Sequence, residues 1–288
     1  MMDRPLFEKY LKRLQPLPTG QKQQGGLEPP LSCLICDLYG TLFISGSGDI
    51  SASTSAGGSS TALKDLLAEY GIPMPPREIL SNLRQAIRQA HDRARKKGVV
   101  HPEIRIEKIW RSILPLKDMR RIRKFATAFE LIVNPVWPMP HALALIRACR
   151  KAGIILGVIS NAQFFTEYLF PWFFRLPASR LGFDPRLIFY SFRHGEAKPS
   201  LNLFQPAVER LGQMGIPPRR VAYIGNDMRK DILPAGSSGF QTILFAGDRR
   251  SLRLRRDDPD CARLHADLVI SNLKQLISLL AAVDNAGI

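Results

Sequence analysis

A chain of 288 residues, 45% of them hydrophobic, can bury a full core and suits one large domain or a core with a smaller insert. Its 41 Lys and Arg against 25 Asp and Glu leave a formal charge of +16, a field that draws anions but does not by itself fix a partner. No run approaches the roughly 18 to 20 consecutive apolar residues of a membrane-spanning helix. The start Met1-Met2-Asp3-Arg4-Pro5 lacks a secretory pattern and the four cysteines are scattered, so a cytoplasmic protein with no membrane partner is expected.

Residues 1–30 read as an N-terminal extension. Phe7, Tyr10, Leu11 and Leu14 recur at helical spacing, and Pro16, Pro18, Gly20, Gly25, Gly26, Pro29 and Pro30 then break regular structure, which predicts a short docking helix on a leader. The apolar run Leu34-Ile35-Cys36 predicts a buried strand, and Asp37-Leu38-Tyr39-Gly40-Thr41-Leu42 follows it directly. A carboxylate is thereby placed at the C-terminal tip of a strand, where open α/β sheets bind their ligands. Cys33 and Cys36 form a C-x-x-C inside that strand. Residues three apart there point to opposite faces, so these two, like Cys149 and Cys261, are expected to be small buried thiols and not a metal or redox pair.

Leu42-Phe43-Ile44 running into Ser45–Ile50 suits a hairpin with a glycine turn, and Ser51–Ser60, all Ser, Ala, Gly and Thr, suits a hinge. From Thr61 to Asn134 the apolar period is helical, as in Leu63, Leu66, Leu67 and Ile79, Leu83, Ile87, with prolines and Gly98 dividing several helices. Alternation of helix and strand then begins. A helix over 141–151 precedes a strand over 154–159, a helix over 202–211 precedes a strand over 221–224, and strands over 242–245 and 268–270 lead to a closing helix over 273–283. That order predicts a parallel α/β sheet with a helical insert. The basic run Arg249–Arg256 has no acid and no aromatic residue inside it, so a solvated loop or helix is expected and no nucleic-acid partner is favoured.

Four motifs fall in order along this frame: Asp37-Leu38-Tyr39-Gly40-Thr41, Ile159-Ser160-Asn161, Glu196-Ala197-Lys198-Pro199 and Gly225-Asn226-Asp227-Met228-Arg229-Lys230-Asp231. Together they resemble motifs I to IV of the haloacid dehalogenase (HAD)-like hydrolase superfamily. The resemblance implies a Rossmann-like parallel-sheet core, residues 31–50 and 135–288, with an all-helical cap and its hinge inserted over 51–134. It further implies an Mg²⁺-dependent phosphatase of a small phosphorylated metabolite, working through an aspartyl-phosphate.

In that scheme Asp37, Lys198 and Asp231 are catalytic, and Thr41, Ser160, Asn161 and Lys198 bind substrate. Asp37, Asp227 and the Tyr39 backbone carbonyl would hold the metal, whose charge offsets the repulsion between a carboxylate and a dianionic phosphate. Tyr39 is the departure, because the phosphatases usually carry a second Asp there as general acid. Positioned acid-base catalysis is worth roughly 10²- to 10⁴-fold, and tyrosine, with an ordinary pKa near 10, is a poor base at pH 7. Asp-x-Tyr-Gly-Thr also resembles the L-2-haloacid dehalogenases, which use no metal and need no leaving-group acid, whereas Asp227 and Asp231 look like the phosphatases' acidic pair. A dehalogenase is therefore the alternative, and a weakly catalytic phosphate-binding regulatory module is a third reading.

Overall fold

A computed structural model describes residues 4–47 and 61–285; the expected hinge over 51–60 and the end of the expected glycine turn lie outside them. The chain opens with α1 (Arg4–Tyr10) and β1 (Gln24–Gly25), then β2 (Cys33–Cys36) and β3 (Phe43–Ser45). After the insert come β4 (Val136–Pro138), α6 (Ala142–Lys151), β5 (Ile155–Ser160), α7 (Leu169–Phe174), α8 (Ala178–Leu181) and β6 (Phe183–Tyr190). The chain continues through α9 (Ser191–His194), α10 (Gln205–Gln213), β7 (Val221–Gly225), α11 (Leu233–Ser237), β8 (Gln241–Phe245), β9 (Leu268–Ile270) and α12 (Leu273–Asn285).

Seven strands form one sheet in the order β1-β9-β8-β7-β2-β5-β6, parallel throughout except for β1 against β9. The α/β class predicted from alternation is what the chain adopts. Strands β2 and β7 are buried at every position, as the near-continuous apolar runs of a sheet covered on both faces require. Cys36 sits level with Val158 of β5 and Ile224 of β7, so the segments that follow all three strands emerge at one edge. Cys33 and Cys36 belong to different core clusters. Burial pushes Cys33 up to about 12 and Cys36 well above its ordinary value, which suits inert thiols.

The insert comprises α2 (Thr61–Glu69), α3 (Pro76–Arg95), α4 (Ile106–Ile113) and α5 (Met119–Val133). Asp118 caps α5 by accepting from the Arg120 N–H at 2.9 Å, a contact that satisfies an orphan donor. Every residue from Phe125 to Leu131 is buried, so this stretch of α5 is enclosed all round and not only along one stripe. Trp110 of α4 packs edge-on against Phe125 and Phe129 at 5.0 and 4.8 Å.

Among the described residues, the strand after motif I finds its partner far along the chain. Strand β3 pairs antiparallel with β4, Phe43 opposite Pro138 and Ser45 opposite Val136, across the whole insert. The reason is apolar surface: Trp137 packs on Phe173 and Phe43 on Phe170, Phe173 and Phe174, which a Ser and Gly run could not supply.

The extension is tied to both halves. Phe7 of α1 stacks on Trp172 with centroids 3.9 Å apart, α1 packs on α5, and β1 extends the sheet beside β9. Gly25 holds φ +78°, and a Cβ there would overlap the Asp267 carbonyl, so the edge pairing needs glycine. Among the described residues no helix is long and apolar enough to cross a membrane.

Candidate active site

The tip of β2 delivers Asp37 into a buried polar cluster. Its Oδ1 accepts from Ser160 Oγ at 2.8 Å and from Lys198 Nζ at 2.8 Å. Lys198 Nζ also donates to Asp231 Oδ1 at 2.5 Å and to the Tyr223 hydroxyl at 3.0 Å, so the ammonium's three donors are all used. Tyr223 in turn donates to the Ile159 carbonyl at 2.9 Å. Asp231 Oδ2 accepts from the backbone N–H groups of Asn226 and Asp227, both at 2.9 Å. Asp37, Ser160, Lys198 and Asp231 are all buried.

Burial pushes the Asp37 carboxyl up to about 6, against the pull of Lys198 and with the help of Asp231. Burial opposes the charge on Lys198, yet Asp231 and Asp37 outweigh it and raise its pKa. The cluster is a buried carboxylate held beside a cation that the neighbouring acids keep charged. Asp37 Oδ2 has no hydrogen-bond partner among the described residues.

The other residues singled out by sequence surround this cluster in supporting positions. The Asn161 amide clamps the Lys198 peptide, its Oδ1 accepting from Lys198 N at 2.7 Å and its Nδ2 donating to Lys198 O at 3.3 Å. Thr41 Oγ1 donates to Asn226 Oδ1 at 3.2 Å, and Asn226 Nδ2 donates to Ser251 O at 2.7 Å. Gly40 between them has φ +83°, and a Cβ would strike Ser251 and Asn226. The Tyr39 hydroxyl is 2.8 Å from Thr166 Oγ1, and burial, with the Glu130 charge next, drives its pKa upward.

Asp227 lines the same cavity as Asp37 and Asp231, but its carboxylate is paired elsewhere. Its carboxylate takes a two-pronged ion pair from Arg255, Nε to Oδ1 at 3.1 Å and an Nη to Oδ2 at 2.6 Å, while Oδ1 also caps the following turn through Arg229 N and Lys230 N. Burial disfavours its charge, but Arg255 prevails and lowers its pKa. The basic run is thus no mere solvated face: Arg253 pairs with Asp227 through the backbone, and the loop is stitched to motif IV.

These donors do not fit Mg²⁺ as they are arranged. The ion requires near-octahedral oxygen ligation, but both Asp231 oxygens are engaged by Lys198 and the backbone, and both Asp227 oxygens by Arg255. Among the described residues no group of three or more His, Cys, Asp or Glu is placed to hold a metal. Arg255→Ala is expected to cost about 1–3 kcal/mol by leaving a buried carboxylate without its partner, read by urea denaturation at pH 7. Because the Asp227 pKa is lowered on folding, that stabilisation exists above the unfolded carboxylate pKa and fades as acid protonates the folded group. The same variant should bind Mg²⁺ more tightly than wild type by calorimetry, since Arg255 no longer competes for Asp227.

Beyond the cluster opens a cavity of 610 Å³. Asp37, Tyr39 and Lys198 line it from the sheet side, and Arg84, Arg88, His91, Trp110, Phe129 and Glu130 line it from the insert. His101 also lines it, whereas Arg105 and Glu107 pair with each other at 2.7 Å. Tyr223 and Glu130 carry no sequence signal, because each sits inside an apolar pattern. Arg255 is masked by the density of basic residues around it.

No protein-family model matches the chain. Its architecture is nevertheless similar to that of solved HAD-like hydrolases, which bears out the fold that the four motifs led us to expect. A HAD phosphatase from Thermococcus onnurineus superposes with a TM-score of 0.54 at 16% identity, over 87% of this chain and 98% of that one. A 2-haloacid dehalogenase from Pseudomonas syringae pv. Tomato DC3000 gives 0.54 at 22%, over 88% and 100%. At such identities the likeness is one of fold. In sequence, the chain is 25% identical over 146 residues to a glyceraldehyde 3-phosphate phosphatase of Methanocaldococcus jannaschii, a match that spans 50% of this chain and 56% of that protein.

Proposed function

We propose that this chain is a HAD-like hydrolase that moves the phosphoryl group of a small phosphorylated metabolite to Asp37 and then to water. The observation that carries the reading is the Asp37 carboxylate, whose Oδ1 is fixed by Ser160 and Lys198 while Oδ2 stays uncommitted beside the cavity. Fixing one oxygen orients the other for in-line attack, and a pre-placed ammonium offsets charge at the reacting centre without reorganisation. Asp231 holds Lys198, Ser160 and Lys198 contact the phosphoryl oxygens, and Asn161 and Thr41 position the two loops. Residues 31–50 and 135–288 serve as the core, 51–134 as hinge and cap, and 1–30 as an extension. The basic side chains of α3 on the cavity wall and the phosphatase relative support an anionic phosphate ester as substrate. Magnesium would require Asp227 to exchange Arg255 for the ion, so no step here runs through a metal.

A dehalogenase is the second reading, favoured by Tyr39 and by the closed Asp227–Arg255 pair. Phosphate esters and L-2-haloacids assayed side by side, each in Mg²⁺ and in EDTA, separate the two. Release of inorganic phosphate and no halide is expected. Halide release in EDTA would overturn the phosphatase reading, and phosphate binding without turnover of either class would leave a binding module.

A further inference from the structure

Tyr39 leaves the proposed reaction without the proton donor that a poor leaving group needs. Its hydroxyl is committed to Thr166, and the rise in its pKa makes it a weaker proton donor. In-line displacement at phosphorus sends the leaving oxygen away from Asp37, hence across the cavity toward the insert. Glu130 of α5 is among the insert residues that line that cavity. Glu130 sits in the enclosed stretch of α5, where an acid costs free energy unless it is used or paired. It lines the cavity together with Asp37 and Tyr39.

Glu130 is also aimed. Its Oε1 accepts from Asn134 Nδ2 at 2.9 Å. The Asn134 Oδ1 is itself fixed by Ser45 Oγ at 2.8 Å and by Ser47 N at 3.1 Å, at the point where the β3–β4 ribbon meets the insert. Glu130 Oε2 has no hydrogen-bond partner among the described residues.

The geometry points to Glu130 as the general acid and base of this site, reaching from the insert to the leaving oxygen in the place that Tyr39 vacates. The assignment rests on the phosphatase reading. In the first step Asp37 Oδ2 bonds to phosphorus, the bond from phosphorus to the ester oxygen breaks, and that oxygen takes its proton from Glu130. In the second step water attacks the aspartyl-phosphate and gives a proton to the Glu130 carboxylate. The bond from phosphorus to Asp37 then breaks, restoring both acids and releasing phosphate.

The protonation state suits the role. Burial lifts the Glu130 carboxyl to about 7 against the opposing bond from Asn134, near the optimum for a group that both gives and takes a proton. The titratable groups that line the same cavity are Asp37, Tyr39, Lys198, Asp227, Lys230, Asp231 and Arg253 from the core, Arg84, Arg88, His91 and Arg95 from α3, and His101 and Glu103 after it, while the hydrogen bond to the Glu130 carboxyl comes from Asn134.

Glu130→Gln in the full chain tests this, since glutamine keeps the Oε1 bond from Asn134 and the fold with it. The first phosphoryl transfer from alkyl phosphates should slow roughly 10²- to 10⁴-fold. The first transfer from p-nitrophenyl phosphate, whose phenolate leaves unaided, should change little when read as a nitrophenolate burst, even though its later turnover slows as the aspartyl-phosphate loses its base. Rates should depend more steeply on leaving-group pKa, and the alkaline fall of the wild-type pH profile near 7 should vanish. Glu130→Asp should recover part of the alkyl turnover. Equal losses of that first transfer on both ester classes, or none, with wild type active would overturn the role of Glu130 and leave the phosphatase reading standing. A wild type that hydrolyses no phosphate ester would overturn both.

Discussion

Asp37→Asn is expected to remove essentially all turnover, a loss on the order of 10⁶-fold, the scale met when a nucleophile is deleted from a working site. The amide oxygen can still accept from Ser160 and Lys198, so the hydrogen bonds at 2.8 Å survive and only nucleophilicity is lost. Stability at pH 7 should hold or rise. The folded pKa of Asp37 lies near 6, above the ordinary 3.8. Ionising it therefore erodes stability as pH climbs through that window, and asparagine escapes the erosion. In the wild type the same shift sets the acid limb of activity, with rates falling below about pH 6 as burial protonates the nucleophile. Steady-state kinetics and thermal melts on one preparation check both halves. Retained turnover by the variant would place the chemistry elsewhere.

Lys198→Met is expected to cost about 3–5 kcal/mol, the penalty for stripping one partner from a buried charge network. Asp37 and Asp231 would then share a water-poor site with no cation between them, where Lys198 now reaches the two at 2.8 and 2.5 Å. Urea denaturation at pH 7 should show the loss. It should shrink at lower pH, because the Asp37 carboxyl, already pushed up to about 6, is neutralised by protonation and the repulsion removed. Adding Asp231→Asn to the variant should restore part of the stability, a coupling that a double-mutant cycle measures directly.

Much of the core was readable because its strands are short apolar runs with a functional residue at each tip. Cys33–Cys36 and Val221–Gly225 are buried throughout, and such runs admit few alternatives. Strand β6 escaped because Phe183-Asp-Pro-Arg breaks the apolar pattern, and its register slips beside β5. Strand β1 escaped because two residues at a sheet edge need no apolar signature. In the site, Asp37, Ser160, Lys198 and Asp231 come together, while Asp227 turns to a guanidinium 28 positions away. Spacing along the chain could not reveal that partner, since nothing in Gly225-Asn226-Asp227 records what packs above it. Glu130 was hidden for a related reason: helical periodicity marks one buried stripe, and α5 is buried on every side from Phe125 to Leu131.

The sheet order has a kinetic consequence. Strand β2 is flanked by β7 and β5, and the bonds made at its tip join residues 123 and 161 positions apart for Asp37 and 185 apart for Thr41. Loops of that length close late and slowly compared with local helices. A refolding chain should regain most of its helical circular dichroism before it regains any catalysis. The return of activity would then clock the docking of β7 and β5 against β2, making the reaction itself a probe of the last long-range step in folding.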